Sequence, residues 1–425
     1  MKLFSYRYLP LNFYLGYSLF VVLCLFFSPF AYRDINYSVV FVFILVISFI
    51  FSLGFIAGAR GDMSLRVSVV DRENGNILKY FLAYLVIGAI YKWAVILVSG
   101  VSINFSGMGD SYFHAYDGYE RGQASIGLGY ILTIAEQICS TVALLFLFSN
   151  ISSLRRGGRV AFVFAIFSYL ALNVVAVGKQ KYLGDVVIFS FYSYMIYLAR
   201  QRRVFSPKSL AFLGVAGLAV IALFVEILRQ RYVAAGIGVF NIAEKSHPLI
   251  SWDESSYVFS LLGYEYGFAL GVFSGYFTNG LYGLYLSMTL PFEWCYMLGN
   301  SYSLARIAEV IMNDPGAIVE CTYPYRVGRE YGWGFDKWHS LFSWLASDIG
   351  FIGVLGATFV FSYFYGKIWV SAVSRKNSIA PPLFVFLSLG LIFCYANNQI
   401  MHGLSGVGVL FLLSFFCIFF PRLKV

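Results

Sequence analysis

The chain has 425 residues, of which 60% are hydrophobic, 20% aromatic and 12% charged, with a formal net charge of +9. Soluble domains carry about 25% charged residues, so a water-soluble core is excluded, and a mean hydropathy of +0.74 places the chain in a bilayer. Six cysteines are too few for a disulfide scaffold, and the basic excess follows membrane topology and does not point to nucleic acid.

Apolar runs fall near 12–30, 37–58, 80–99, 125–148, 160–177, 182–199, 209–226, 341–366, 382–396 and 404–420. A helix of about 20 such residues crosses a membrane. The pattern predicts an all-α polytopic protein of about 10–12 transmembrane helices. Its basic residues alternate with the spans: Lys2 and Arg7 precede the first, and Arg60, Arg66, Arg72 and Lys79 follow the second. Arg155, Arg156 and Arg159 follow the fourth, and Arg200, Arg202, Arg203 and Lys208 the sixth. Lys367, Arg375 and Lys376 follow the eighth, and Arg422 and Lys424 end the chain. The positive-inside rule reads this face as cytoplasmic, with both termini on it. The first span is longer than the ~7–15-residue core of a signal peptide and lacks an A-x-A site, which predicts an uncleaved anchor.

The outward connections then lie around Arg33, at 100–123 with His114, at 178–181, at 227–340 and near His402. Three parts follow: a bundle of about seven spans over 1–226, a large outward loop over 227–340, and about three spans over 341–425. Within the loop, 257–275 and 279–299 are apolar but interrupted by Glu265, Pro291, Glu293 and many glycines, predicting two short re-entrant or interfacial helices. Glycines at 263, 267, 271, 275, 280 and 283 would let that hairpin move, or let helices approach closely. No repeat or inverted duplication is visible.

No GxGxxG, Walker loop, HExxH or CxxC occurs, so nucleotide, zinc and thiol-redox chemistry have no motif. Cys295 and Cys321 share the outward loop; an oxidising compartment would let them pair, though two such cysteines are more often free. Lys179 and Lys181 join two spans, and Glu226, Arg229 and Arg231 end the seventh, against the orientation bias. An interfacial cation reaching for headgroups is the plain alternative. The densest polar and aromatic stretch runs from Tyr323, Tyr325, Arg326, Arg329 and Glu330 through Trp333, Trp338 and His339 to Asp348. A carboxylate two turns into a span costs ~2.5–3.5 kcal/mol unless it faces a partner or a wet cavity. Asp348 is therefore expected to point inward, to an arginine in the bundle or to a substrate.

The runs Tyr276-Phe277-Thr278-Asn279-Gly280-Leu281-Tyr282-Gly283-Leu284, Leu290-Pro291-Phe292, Gly299-Asn300-Ser301 and Trp338-His339 through Trp344-Leu345-Ala346-Ser347-Asp348-Ile349-Gly350 resemble the Wzy-type O-antigen polymerases. Leu281 replaces a tyrosine frequent in that family. The motifs cover the last half of the chain, and the hydropathy pattern covers all of it. The resemblance implies a glycosyltransferase of the bacterial inner membrane, similar in organisation to GT-C and ligase-like enzymes. It would transfer the growing glycan from undecaprenyl diphosphate onto the non-reducing end of a new lipid-linked repeat unit at the periplasmic face. The implied partners are the undecaprenyl-diphosphate-linked donor and acceptor, a Wzz-type chain-length regulator, a Wzx-type flippase and the lipid bilayer.

Such a reaction needs cations on the departing diphosphate and a base for the acceptor hydroxyl. Arg229, Arg231, Arg326, Arg329, Lys179 and Lys181 are the expected clamp; His339 is the first choice as base, with Glu330 and Asp348 as further catalytic candidates. Trp333, Trp338, Tyr323, Tyr325 and His402 are expected on the sugar path, unless the aromatics only form the interfacial belt. No cofactor is expected and no carboxylate cluster has metal-ligand spacing, so activity should survive a chelator. An O-antigen ligase would share the donor and hand the glycan to lipopolysaccharide core. A lipid-linked oligosaccharide flippase would place charges at several depths, whereas the ionisable residues here gather at the outer boundary.

Overall fold

The computed structural model describes residues 5–61, 63, 75–99, 128–175, 179–234, 236, 242, 246–334 and 337–420. The connection at 100–123 with His114, the basic residues Arg66 and Arg72, and the chain ends with Lys2, Arg422 and Lys424 lie outside them. Among the described residues, eight helices are long and apolar enough to cross a membrane, and the fold is all-α and polytopic. Seven come first: α1 (Leu9–Phe27), α2 (Tyr37–Gly58), α3 (Gly75–Ser99), α4 (Leu128–Ser149), α5 (Arg156–Leu170), α6 (Lys181–Arg200) and α7 (Pro207–Ala234). A π turn, Ala171–Val175, continues α5.

Two sets of contacts define the faces of this bundle. Strand β1 (Phe30–Tyr32), after α1, pairs antiparallel with β2 (Ile250–Trp252), after α7, with Phe30 opposite Trp252. The ends of two odd-numbered spans thus meet on one face, as strict alternation requires. On the other face Arg7 donates to the Ala59 carbonyl at 2.9 Å, Trp369 Nε1 to the Arg7 carbonyl at 2.8 Å, and Arg200 Nη2 to the Ala372 carbonyl at 2.9 Å. This second face is the basic one.

Between α7 and the next span the chain builds a cap from α8 (Tyr257–Leu262), α9 (Tyr264–Met288), α10 (Tyr302–Met312) and α11 (Tyr323–Tyr331). The expected hairpin of two short helices over 257–299 is not formed. The break falls earlier, at Gly263, whose φ of +74° suits glycine, and a single helix of 25 residues follows. Its glycines are points of close approach: a side chain at Gly280 would collide with the Tyr395 and Ala396 carbonyls, and one at Gly271 with Trp252. The first half of α9 lies against the end of α7, with Tyr232 on Phe268 at 5.1 Å and Phe224 on Tyr276 at 6.3 Å between ring centroids.

The eighth span, α12 (Leu341–Ser374), is broken inside by Gly350 at φ +65°, ψ +166°. The expectation of one continuous span over 341–366 is therefore corrected: 341–349 belongs to the cap, and the 24 residues from 351 to 374 make a crossing of about 36 Å. The crossing packs along α2, where Gly54 and Gly58 leave no room for side chains beside Ser362 and Tyr363. Two shorter apolar helices close the fold, α13 (Ala380–Phe393) and α14 (Leu404–Phe419). At 14 and 16 residues they measure about 21 and 24 Å, less than a hydrocarbon core of about 30 Å. The non-helical segment 394–403 between them folds back into protein, which supplies its backbone with partners.

Candidate functional site

Beneath the cap is a cavity of about 220 Å³. Its walls are apolar, with Tyr14, Phe51, Phe342, Phe361, Leu387 and Leu391 among them, and its polar rim is made of amides: Asn300, Asn397, Asn398 and Gln399. Asn398 fixes that rim, donating through Nδ2 to the Asn300 carbonyl at 2.6 Å and accepting from the Met401 N–H at 3.2 Å. The rim hangs in turn on Asp348. Its two carboxylate oxygens accept the backbone N–H groups of Gly299 at 2.9 Å and Asn300 at 2.7 Å. Asp348 does turn inward, but its ligands are backbone amides instead of an arginine.

The same hinge is tied at further points. Ser347 receives the Cys295 N–H on its carbonyl and the Tyr323 N–H on its hydroxyl, at 3.1 and 2.9 Å. Ser301 caps α10 through the Leu304 N–H. A side chain at Gly299 would strike Cys295, Ser347 and Asp348, and one at Gly283 would strike the His339 ring. Cys295 and Cys321 are bonded, contrary to the expectation of free thiols, with Cα atoms 5.8 Å apart. Within α10, burial alone would push the Glu309 carboxyl up. The N–H groups of Val319, Ile318 and Gly316, together with Arg306, outweigh it and hold the carboxyl below its usual range.

The remaining candidates occupy different surroundings. His339 is buried, with Nε2 3.1 Å from the Gly334 carbonyl. Trp333 is fully buried, enclosed by Tyr282, His247 and Tyr32, so its faces are unavailable to a sugar; Tyr323 is buried against Phe351. Trp338 is half-buried on Tyr276, Tyr325 packs by the disulfide, and His402 stacks on Tyr302 with Trp344 at its edge. Of the three candidate proton acceptors, only Glu330 is exposed, as is Arg329 beside it. Arg326 is 5% exposed; its Nη1 donates to the Pro291 carbonyl at 2.9 Å and its Nη2 pairs with Glu293 at 2.9 Å.

The six cations expected to form one clamp are divided. Arg229 is held by Glu226 at 2.9 and 2.8 Å and by Glu265 at 2.8 Å, over the Tyr266 ring. Arg231 lies over Tyr232. Lys179 and Lys181 sit at the start of α6, where Leu183 packs with Ile227 of α7, so these four cations share one region. Glu265 opens α9 while Arg326 binds residues just past its end, a distance of about 36 Å along the helix. A single diphosphate cannot bridge them.

Sequence reasoning missed two features. Asn300, Asn397, Asn398 and Gln399 line the cavity, whereas none of the expected site residues does; the Asn-Asn-Gln run at the end of an apolar stretch was the available signal. Ionisable groups also occur inside spans: Lys92 of α3 pairs with Glu136 of α4 at 3.0 Å, and Asp185 of α6 is buried beside Tyr169 and Tyr182. The reading that the ionisable residues gather at the outer boundary, with most spans uncharged, therefore has these exceptions. Among the described residues no group of three or more His, Cys, Asp or Glu could hold a metal ion.

Set beside known proteins, the chain matches no family model, no curated protein and no solved structure.

Proposed function

We propose that the protein is a membrane glycosyltransferase, a surface-polysaccharide (O-antigen) polymerase. It lengthens a glycan carried on undecaprenyl diphosphate at the cap face, which the basic distribution reads as periplasmic in a bacterial inner membrane. The observation that carries this reading is the union of an apolar cavity with an amide rim and the cap over it, braced at Gly299, Asn300, Ser347 and Asp348. These are residues of the runs that resemble the polymerase family. A substrate with an isoprenoid tail and a sugar head needs such a boundary between apolar and polar surfaces. The cap disulfide suits an oxidising compartment.

In this reading the acceptor hydroxyl attacks the anomeric carbon, the bond to the diphosphate oxygen breaks, and undecaprenyl diphosphate leaves with the electron pair. The released proton goes to Glu330, the exposed carboxylate. Arg329 supplies positive charge beside it, and Arg326 shapes the loop at Pro291 and Glu293. Glu330→Gln should lower turnover about 10²–10⁴-fold with folding unchanged; undiminished turnover would remove Glu330 from the chemistry. A ligase would differ only in the acceptor. A flippase is the reading that the Lys92–Glu136 pair and Asp185 favour, since charges inside spans often line a transport path. Reconstitution of the full chain with a lipid-linked repeat unit separates the three. Lengthened lipid-linked products support the polymerase. Transfer solely to added lipopolysaccharide core would make it a ligase, and translocation without a new glycosidic bond a flippase.

A further inference from the structure

Helix α10 is inverted in polarity. Its one carboxylate, Glu309, is 1% exposed and accepts the backbone N–H groups of Ile318 and Val319 at 3.0 and 2.7 Å. Ile307, Val310 and Ile311 stand on the opposite side, at the i, i+3, i+4 spacing of one helical face, and are 38, 65 and 79% exposed. A helix resting on a water-soluble core shows the reverse pattern. The turn before it repeats the inversion: Trp294, Tyr296 and Met297 are exposed, while Cys295 among them is buried in its disulfide with Cys321. Tyr296 and Met297 hold φ of +57° and +61°, a backbone region unfavourable to bulky side chains. Cys295 and Ala305 belong to one small apolar core, so turn and helix form one unit.

The level of this unit is set by α14. The Ser303 N–H and hydroxyl donate to the His402 carbonyl at 3.2 and 2.9 Å, and Tyr302 stacks on the His402 ring, so α10 begins beside the first residues of α14. At the other end Asn377 Nδ2, in the turn after α12, donates to the Cys417 carbonyl at 2.8 Å. Helix α14 therefore runs from the cap to the basic face, with Phe411, Phe415 and Ile418 exposed along it as lipid-facing side chains. Its length of about 24 Å falls about 6 Å short of a hydrocarbon core. The apolar layer thus extends past its ends, and α10 starts where that lipid-facing surface stops.

We propose that the exposed face of α10 and the 294–297 turn lie in the leaflet on the cap face, against the acyl chains just below the headgroups. The occupant of this surface is the bilayer, because α10 continues from the lipid-facing surface of α14. Trp294 and Tyr296 are residue types that settle at headgroup level, and the aliphatic side chains beside them reach the acyl layer. Arg306, whose side chain is half exposed and pairs with Glu309 at 2.8 Å, is long enough to keep its charge among the headgroups. Asn300 lies between the turn and α10 and belongs to the cavity rim. Immersion of its neighbours places that rim at the surface of the leaflet, where the headgroup of a membrane lipid reaches it without leaving the bilayer. This inference does not depend on the proposed enzymatic activity.

Photo-cross-linking of the full chain in liposomes of phosphatidylethanolamine and phosphatidylglycerol tests it. The photoreactive residue p-benzoylphenylalanine takes the place of Ile311, of Trp294 or, as the comparison, of Glu330, which is exposed on α11. The first two chains should form covalent phospholipid adducts, read by mass spectrometry, at least tenfold more often than the third. The change at Trp294 exchanges one aromatic side chain for another, which keeps the test decisive if the change at Ile311 disturbs folding. Adducts at Ile311 and Trp294 no more frequent than at Glu330 overturn the proposal. Covalent dimers of the chain in place of lipid adducts would assign the face to a second copy and overturn it as well.

Discussion

The two ends of α9 hold arginines in opposite company. At its start Arg229 stands between two carboxylates, Glu226 and Glu265, with a quarter of its side chain exposed; past its end Arg326 is 5% exposed and fastens the 291–293 loop. The first belongs to a surface network, in which water and salt weaken each pair. The second is a buried cation whose removal strips a carbonyl and a carboxylate of their donor. Arginine at a membrane boundary can therefore be a solvated charge or a structural brace, and its partners decide which.

Four substitutions test that difference, beginning with the most severe. Asp348→Ala leaves the Gly299 and Asn300 N–H groups buried without acceptors, at about 1–3 kcal/mol each. Thermal unfolding in detergent should show the loss, and cleavage by protease should rise in 289–301. A wild-type melting curve would mean that the cap does not hang on this carboxylate. Arg326→Gln should cost about 1–3 kcal/mol and abolish polymer in cells. Arg326→Lys should restore part of the stability.

Arg229→Gln should cost at most about 1 kcal/mol. If its melting curve matches that of Arg326→Gln, the two ends are alike and the contrast fails. The smallest effect concerns acid. The folded Glu309 carboxyl is held below its usual range, and an unfolded one titrates near pH 4.3. Its contribution is fully present above that value and is lost as pH falls through the lower folded value. A pH series of melting temperatures should therefore drop below about pH 4.3 for wild type and less steeply for Glu309→Gln.

Much of the architecture was legible in the sequence because a bilayer leaves few options. Runs near 37–58 and 182–199 became α2 and α6 almost to the residue, since apolar length alone sets a span. Gly350 was not legible as a break, because only its backbone angle separates it from the glycines that α12 and α2 use for packing. The motif positions Gly280, Gly283, Gly299 and Asp348 stood out in the sequence, but the contacts that matter join residues 48 to 116 positions apart, such as Gly283 with His339, Gly280 with Ala396 and Asp348 with Gly299 and Asn300. Local spacing carries no information about such pairs. For the same reason the expected clamp was drawn as one group: charge placement names the face, and α9 sets the distance across it.

The proposed reaction requires the cap to face away from the cytoplasm, where a lipid-linked glycan would meet it. Glu330 is exposed at the end of α11, so Glu330→Cys gives a thiol on the cap surface that a membrane-impermeant maleimide of high mass can report. Intact spheroplasts should give a mass shift absent from the parent chain, and sealed inside-out vesicles should give none. Labelling in the inside-out vesicles alone would place the cap in the cytoplasm and contradict the proposed reaction.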